Sequence, residues 1–149
     1  MTATYVSANA AEQLLVQVGD GGSPEVFTSP VLINQSRQLD MTANATATVI
    51  PRTDNPSAPG KTIRRVTDTD SKISGTGILN AGDDKTYADW LQSGAAKNIK
   101  VSNAITGGLV LLGPYVLTAY SSAGAKVGDM ITCSLTLEQA DIPVTSTHA

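Results

Sequence analysis

The chain has 149 residues, a formal net charge of −3, 41% hydrophobic residues but only 4% aromatic ones, and a single cysteine, Cys133. That length fits one domain with a core of its own, and the composition excludes global disorder. The missing basic excess argues against a dedicated nucleic-acid binder, and one cysteine excludes an internal disulfide or a multi-cysteine metal site. "MTATYVSANA" has neither the basic nor the apolar region of a signal peptide, and the longest apolar run, 109–112, is far too short for a bilayer. The expectation is a soluble protein without a membrane anchor, made in a reducing cytoplasm.

Residues 1–11 are small, polar and aperiodic, and predict an N-terminal arm. "EQLLVQVGDGGSPEVFT" (12–28) predicts a short apolar strand carrying Leu14 and Val16, a glycine turn at 19–22, and a second extended run. In "ATATVI" (45–50) and the residues before it, Ala43, Ala45, Ala47 and Val49 alternate with Asn44, Thr46 and Thr48. Period two predicts a strand, but neither face is strongly apolar. "PRTDNPSAPGKTIRR" (51–65) follows, with three prolines, four cations and Ile63 as its only large aliphatic side chain. It can bury little surface of its own, which predicts a long loop. "SKISGTGIL" (71–79) resumes as a strand, so loop and flanks together read as one oversized hairpin.

"DDKTYADWLQSG" (83–94) predicts the one helix, with Asp83 or Asp84 as N-cap and Gly94 closing the C-terminus. Tyr87, Trp90 and Leu91 fall at i, i+3 and i+4 and form its apolar stripe. Two further strands are expected at 97–104 and 113–122, joined by a glycine turn at 107–108. In "ITCSLTLE" (131–138), Ile131, Cys133, Leu135 and Leu137 face one way and Thr132, Ser134, Thr136 and Glu138 the other, the signature of a half-buried antiparallel strand. Residues 141–149 are expected to form a C-terminal tail. The fold class is mainly β: a single domain over 1–149, a small β-sandwich or partly closed barrel of about seven strands flanked by one α-helix, with a long extended hairpin loop.

No catalytic, cofactor or metal constellation emerges. His148, the sole histidine, stands next to the C-terminal residue and is expected to be solvated. Cys133 lies at an inward strand position, where cysteine acts as a small hydrophobe. Asp68, Asp70, Asp83 and Asp84 do not match the spacing of a calcium loop. "GDGGS" lacks the Lys and Ser/Thr of a phosphate loop and reads as a hairpin turn. The sequence predicts neither an enzyme nor a cofactor.

Three motifs recur in order. The first uses Gly19, Asp20, Pro24, Glu25, Phe27 and Thr28; the second Ile73, Ser74, Gly75, Gly77 and Ile78; the third Ser134, Leu135, Leu137 and Glu138. Over roughly 12–140 this arrangement resembles the major tail tube proteins of long-tailed bacteriophages and related gene transfer particles. Ala140, where members often carry glycine, and the proline-rich loop depart from the pattern. The resemblance implies six-copy rings stacked into a tube that conducts DNA without sequence-specific binding. It further implies a place in the virion, synthesis in the bacterial host cytoplasm, and tape measure, tail terminator and distal tail proteins as partners.

On that basis Asn44, Thr46 and Thr48 are candidates to face the lumen. Arg52, Asp54, Lys61, Ile63, Arg64, Arg65 and Asp68 are candidates for contacts between subunits, with Asp70 adding to the mixed-charge surface. The alternative is a β-sandwich recognising carbohydrate or another ligand on a phage fibre or adhesin. Such a module would want aromatic platforms, and helix periodicity already accounts for the one Trp.

Overall fold

The computed structural model describes residues 2–6, 8, 10–28, 35–80, 82–124 and 126–149. A 3-10 turn at Ala11–Gln13 leads into β1 (Leu14–Gly19), β2 (Phe27–Thr28), β3 (Ser36–Ile50) and β4 (Lys61–Ile78). Then come α1 (Asp83–Ser93), β5 (Ala96–Asn103), β6 (Leu109–Ala123), β7 (Thr132–Gln139) and β8 (Val144–Thr147). The described strands form one antiparallel sheet in the order β2-β1-β5-β6-β7-β4-β3, with β8 beside β6. Curvature brings β1 close to β3. No ladder joins those two strands among the described residues, so the barrel is partly closed. Residues 1, 7 and 9 of the expected arm lie outside the described residues; Tyr5 and Val6 are exposed.

The core follows from period-two patterning. Val16, Ile73, Ile99, Val101, Leu111, Tyr115, Leu117, Cys133, Leu135 and Leu137 are buried together, with Leu14 packed at the edge. Each large side chain so buried contributes about 1.5–3 kcal/mol relative to exposure. Ile131 departs from expectation: it is 46% exposed and precedes β7. The last pair between β4 and β7 is Ile78 with Thr132, so the sheet ends before Ile131 and its alternation there has no layer to face. Its carbonyl still accepts a hydrogen bond from the Leu79 amide at 2.9 Å.

Trp90 of α1 is buried in the same core, with Tyr87 and Leu91 half-buried against it. The Trp90 indole donates to the Ala95 carbonyl at 2.7 Å. Tyr87 stacks on Tyr120 of β6, ring centroids 6.3 Å apart, and burial pushes its phenol up to about 12. Gly94 closes the helix at φ 67°, as the sequence predicts. The N-cap differs: it is Gly82 at φ 89°, with no side-chain cap. Asp83 and Asp84 lie inside the first turn, where a carboxylate favours the helix dipole, and Asp83 accepts from Asn80 Nδ2 at 2.8 Å.

The expected tail also differs. Val144–Thr147 is an eighth strand, pairing with Leu109–Leu112 at the start of β6. His148 is half-buried rather than solvated, because this pairing carries on past the strand. Its amide donates to the Gly108 carbonyl at 2.7 Å and its carbonyl accepts from the Gly107 amide at 3.0 Å. The four residues Val-Thr-Ser-Thr are a strand signal easily lost in a polar terminus.

Candidate assembly surface

β3 and β4 form the longest ladder of the molecule, in register from Ser36 opposite Thr76 to Ile50 opposite Lys61. Near its base, β4 also pairs with β7 from Lys72 to Ile78. Beyond that the hairpin continues as a two-stranded ribbon, and every residue of 41–50 and of 61–70 is exposed. At about 3.3 Å per residue the ribbon extends roughly 30 Å. Two strands exposed on both faces are marginally stable in water at best.

The turn is shorter than the sequence predicts. Residues 61–65 belong to β4, and the irregular loop is 51–60. Density of charge and proline hides the strand signal of Thr62, Ile63 and Val66, whereas the prolines themselves all precede residue 60. Gly60 allows the return: a Cβ there would lie 2.5 Å from the Ile50 carbonyl oxygen. Within the loop, Arg52 pairs with Asp54, its Nε donating to Oδ1 at 2.9 Å, and the Ala58 amide donates to the Asn55 carbonyl at 3.0 Å. Arg52 and Asp54, expected to bond across subunits, are thus paired with each other.

A bulge at Thr67 divides the ribbon, since Asn44 opposes Asp68 and Ala45 opposes Val66. Thr67 Oγ1 donates to the Asn44 carbonyl at 3.1 Å, and Asn44 Nδ2 donates to Asp68 Oδ2 at 3.1 Å. Opposed residues share a face. One face therefore presents Thr46 with Arg65, Thr48 with Ile63, and Ile50 with Lys61. The other presents Ala45 with Val66, Ala47 with Arg64, and Val49 with Thr62. The lumen candidates Thr46 and Thr48 thus share a face with Ile63, Arg65 and Lys61, and Arg64 stands opposite.

Charge is segregated along the ribbon. Arg52, Lys61, Arg64 and Arg65 crowd its far end around one carboxylate, Asp54, while Asp40, Asp68 and Asp70 stand toward its base with Lys72. Among the described residues the ion pairs within 4 Å are Arg52–Asp54 and Lys85–Asp89, so Lys61, Arg64 and Arg65 have no carboxylate partner among them. Aliphatic surface accompanies the charge: Val49, Val66 and Met41 are 64%, 63% and 56% exposed.

Where the ribbon leaves the body, a cleft of about 350 Å³ opens between its core-side face and the Ile142–Pro143 segment. Met41, Ala43, Leu111, Ile142 and Pro143 form its apolar walls, and Ser71 and Gln139 supply polar groups. Ser71 Oγ donates to Gln139 Oε1 at 2.8 Å, so the Tyr115 hydroxyl, 2.7 Å away, donates to Ser71. Gln139 Nε2 donates to the Thr69 carbonyl at 3.2 Å. This network ties β4, β6 and β7 together at the root of the ribbon. Sequence reasoning missed the cleft, because its two walls are some 70 residues apart and only "DIP" at 141–143 hints at a rigid segment.

The rest of the surface holds little chemistry. Among the described residues, no group of three or more His, Cys, Asp or Glu side chains is placed to hold a metal ion. Cys133 is buried, its thiol pushed up by burial and donating to the Gly77 carbonyl at 3.5 Å. No helix among the described residues is long and apolar enough to cross a membrane. In the "GDGGSPE" stretch, Asp20 Oδ1 accepts from the amides of Gly22 at 2.8 Å and Val26 at 3.1 Å. Glu25 accepts from Asn98 of β5 at 2.8 Å. The motif shapes a turn and fastens it to the sheet.

No family model matches the chain, and no curated protein matches it in sequence. Solved structures share its fold over nearly its whole length. A chain in the tail of an empty gene transfer agent (GTA) particle, determined with C6 symmetry, has a TM-score of 0.70 at 17% identity, covering 95% of this chain and 100% of that one. A chain in the sheath–tube complex of the PVC extracellular contractile injection system, in its extended state, has a TM-score of 0.64 at 14% identity, covering 94% and 92%. The SPP1 tail tube has a TM-score of 0.60 at 11% identity, covering 95% and 80%. At these identities the likeness is one of fold.

Proposed function

We propose that this chain is a structural, non-enzymatic protein that assembles with copies of itself into stacked rings forming the tube of a phage-like tail. The observation that carries this reading is the exposed ribbon of β3 and β4. A projection of about 30 Å with aliphatic and cationic residues on both faces is costly for a lone chain and explicable as surface for neighbouring subunits. The likeness to tube chains over 94–95% of this sequence supports the same reading. The carbohydrate-binding alternative loses support, because the one Trp is packed in the core with its indole bonded to Ala95.

In this reading the rings hold six copies, the tube belongs to a long-tailed phage or gene transfer particle, and DNA passes through it. Tape measure, terminator and distal tail proteins would meet it along its bore and at its ends. Negative-stain microscopy and sedimentation of the purified protein at rising concentration test the assembly: long hollow polymers are expected, and a small oligomer of fixed size at every concentration would overturn it. The expected placement of Asn44, Thr46 and Thr48 on the bore gives way in this reading to one against a neighbouring subunit, because Thr46 and Thr48 share their face with Ile63, Arg65 and Lys61, and two exposed cations there would hold a passing polyanion.

A further inference from the structure

The cleft at the root of the ribbon has a largely apolar lining with one carboxylate residue, Asp70. Met41, Ile142 and Pro143 offer aliphatic surface, Asp70 is among the lining residues, and Asp141 immediately precedes Ile142 in the sequence. Both carboxylates are held by local bonds: Asp70 Oδ1 accepts from the Ser71 amide at 2.9 Å, and Asp141 Oδ1 from the Ile142 amide at 2.7 Å. An occupant suited to this site carries a branched aliphatic side chain with a cation beside it for Asp70, and a second cation would find Asp141 next to Ile142.

That description matches the far end of the same ribbon. Lys61, Ile63 and Arg65 follow one another at alternate positions of β4 and so share one face, with Ile50 directly opposite Lys61. All three residues are exposed, and neither cation has a carboxylate partner among the described residues. The ribbon cannot serve its own cleft, because Ile63 and Ser71 are eight residues apart on one strand, about 25 Å. The N-terminal arm is the rival occupant through its exposed Tyr5 and Val6, but the stretch 2–6 carries no charge to meet Asp70 or Asp141.

We propose that the cleft receives the ribbon tip of a second copy, with Ile63 seated against Ile142 and Pro143 while Lys61 and Arg65 meet Asp70 and Asp141. The proposal rests on the tube reading above and deepens it by naming donor and receptor. Because the two surfaces differ, the contact is head-to-tail and does not close on a pair; each copy receives one tip and offers another, which gives the stack a direction.

Disulfide trapping tests this pairing. The chain with Ile63→Cys and Ile142→Cys, oxidised after polymerisation, should give a ladder of covalent multimers on a non-reducing gel, as bonding needs Cα atoms within about 7 Å. Wild type, whose Cys133 is buried, should give none. If the double variant does not polymerise, equal amounts of the two single variants polymerised with wild type should give covalent dimers containing one of each. Polymers that form without cross-links overturn the docking and leave the tube reading standing. A ladder from Tyr5→Cys with Ile142→Cys in place of the expected one would assign the cleft to the arm. Wild type that never polymerises defeats the tube reading itself. As a second readout, Arg65→Glu should raise the concentration at which polymer first appears several-fold, and Asp70→Lys in the same chain should largely restore it.

Discussion

Between Ser71 and Gly77, β4 is buried at every second residue, and from Lys72 to Thr76 it is paired on both edges; between Lys61 and Asp70 the same strand is paired on one edge and buries nothing. Propensity does not separate the halves, since Thr and Ile occur in each. What separates them is a second layer. The inner half has β6, β7 and the rest of the core to alternate against, and there Ile73 is fully buried. The outer half has only β3, so the sheet's hydrogen bonds continue without the packing that normally stabilises them.

The most severe way to break this comparison is to remove the outer half. Thr46 and Arg65 face each other across the ladder, so replacing residues 47–64 with Asn-Gly joins them through a two-residue hairpin turn. The shortened chain should keep its far-ultraviolet circular dichroism and its urea midpoint, yet form no polymer by sedimentation or microscopy. Loss of folding would show that the ribbon supports the body; normal tubes would show that it is a tolerated extension.

Single truncations sharpen the same contrast at smaller scale. Leu137 is 1% exposed in the core, and Leu137→Ala should cost about 2–5 kcal/mol of monomer stability. Val66→Ala, on the ribbon, should change monomer stability by no more than about 0.5 kcal/mol and show its effect in polymer yield instead. Urea unfolding below the polymerisation threshold measures the first quantity, and pelleting above it measures the second. Similar stability losses for the two substitutions would mean that the ribbon packs on its own chain.

The same division governs what could be read from the residues. Cys133, Leu135 and Leu137 alternate against Ser134 and Thr136, and Tyr87, Trp90 and Leu91 form a helical stripe; these are local periodicities, and the burial they imply is found. The true extent of the hairpin was not legible, because Lys61, Arg64 and Arg65 mask a strand whose pairing partner lies across a proline loop. Ile131 misled for the opposite reason: its alternation is correct, but the sheet ends one residue later in the chain. Of the candidate surface, the residues of 51–65 drew attention through charge and proline. The cleft depends on β4, β6 and the 141–145 segment meeting in space, which no local pattern encodes.

The smallest expected effect belongs to the opposite end of the sheet, where a turn stabilises itself without any partner. Asp20 is fully exposed, yet the amides of Gly22 and Val26 both donate to its carboxylate and hold its pKa below the ordinary 3.8. The folded chain therefore takes up this proton less readily than the unfolded one. By linkage the turn is stabilised in full above pH 3.8 and loses that contribution as pH falls through the lower folded value. In an NMR titration of chain held below its polymerisation threshold, the Gly22 and Val26 amide resonances should shift with a midpoint below 3.8, and Asp20→Asn should abolish the transition. A midpoint at or above 3.8 would mean that these bonds do not favour the ionised carboxylate. The β1–β2 turn would then depend, as is proposed for the ribbon, on contacts that a single chain does not supply.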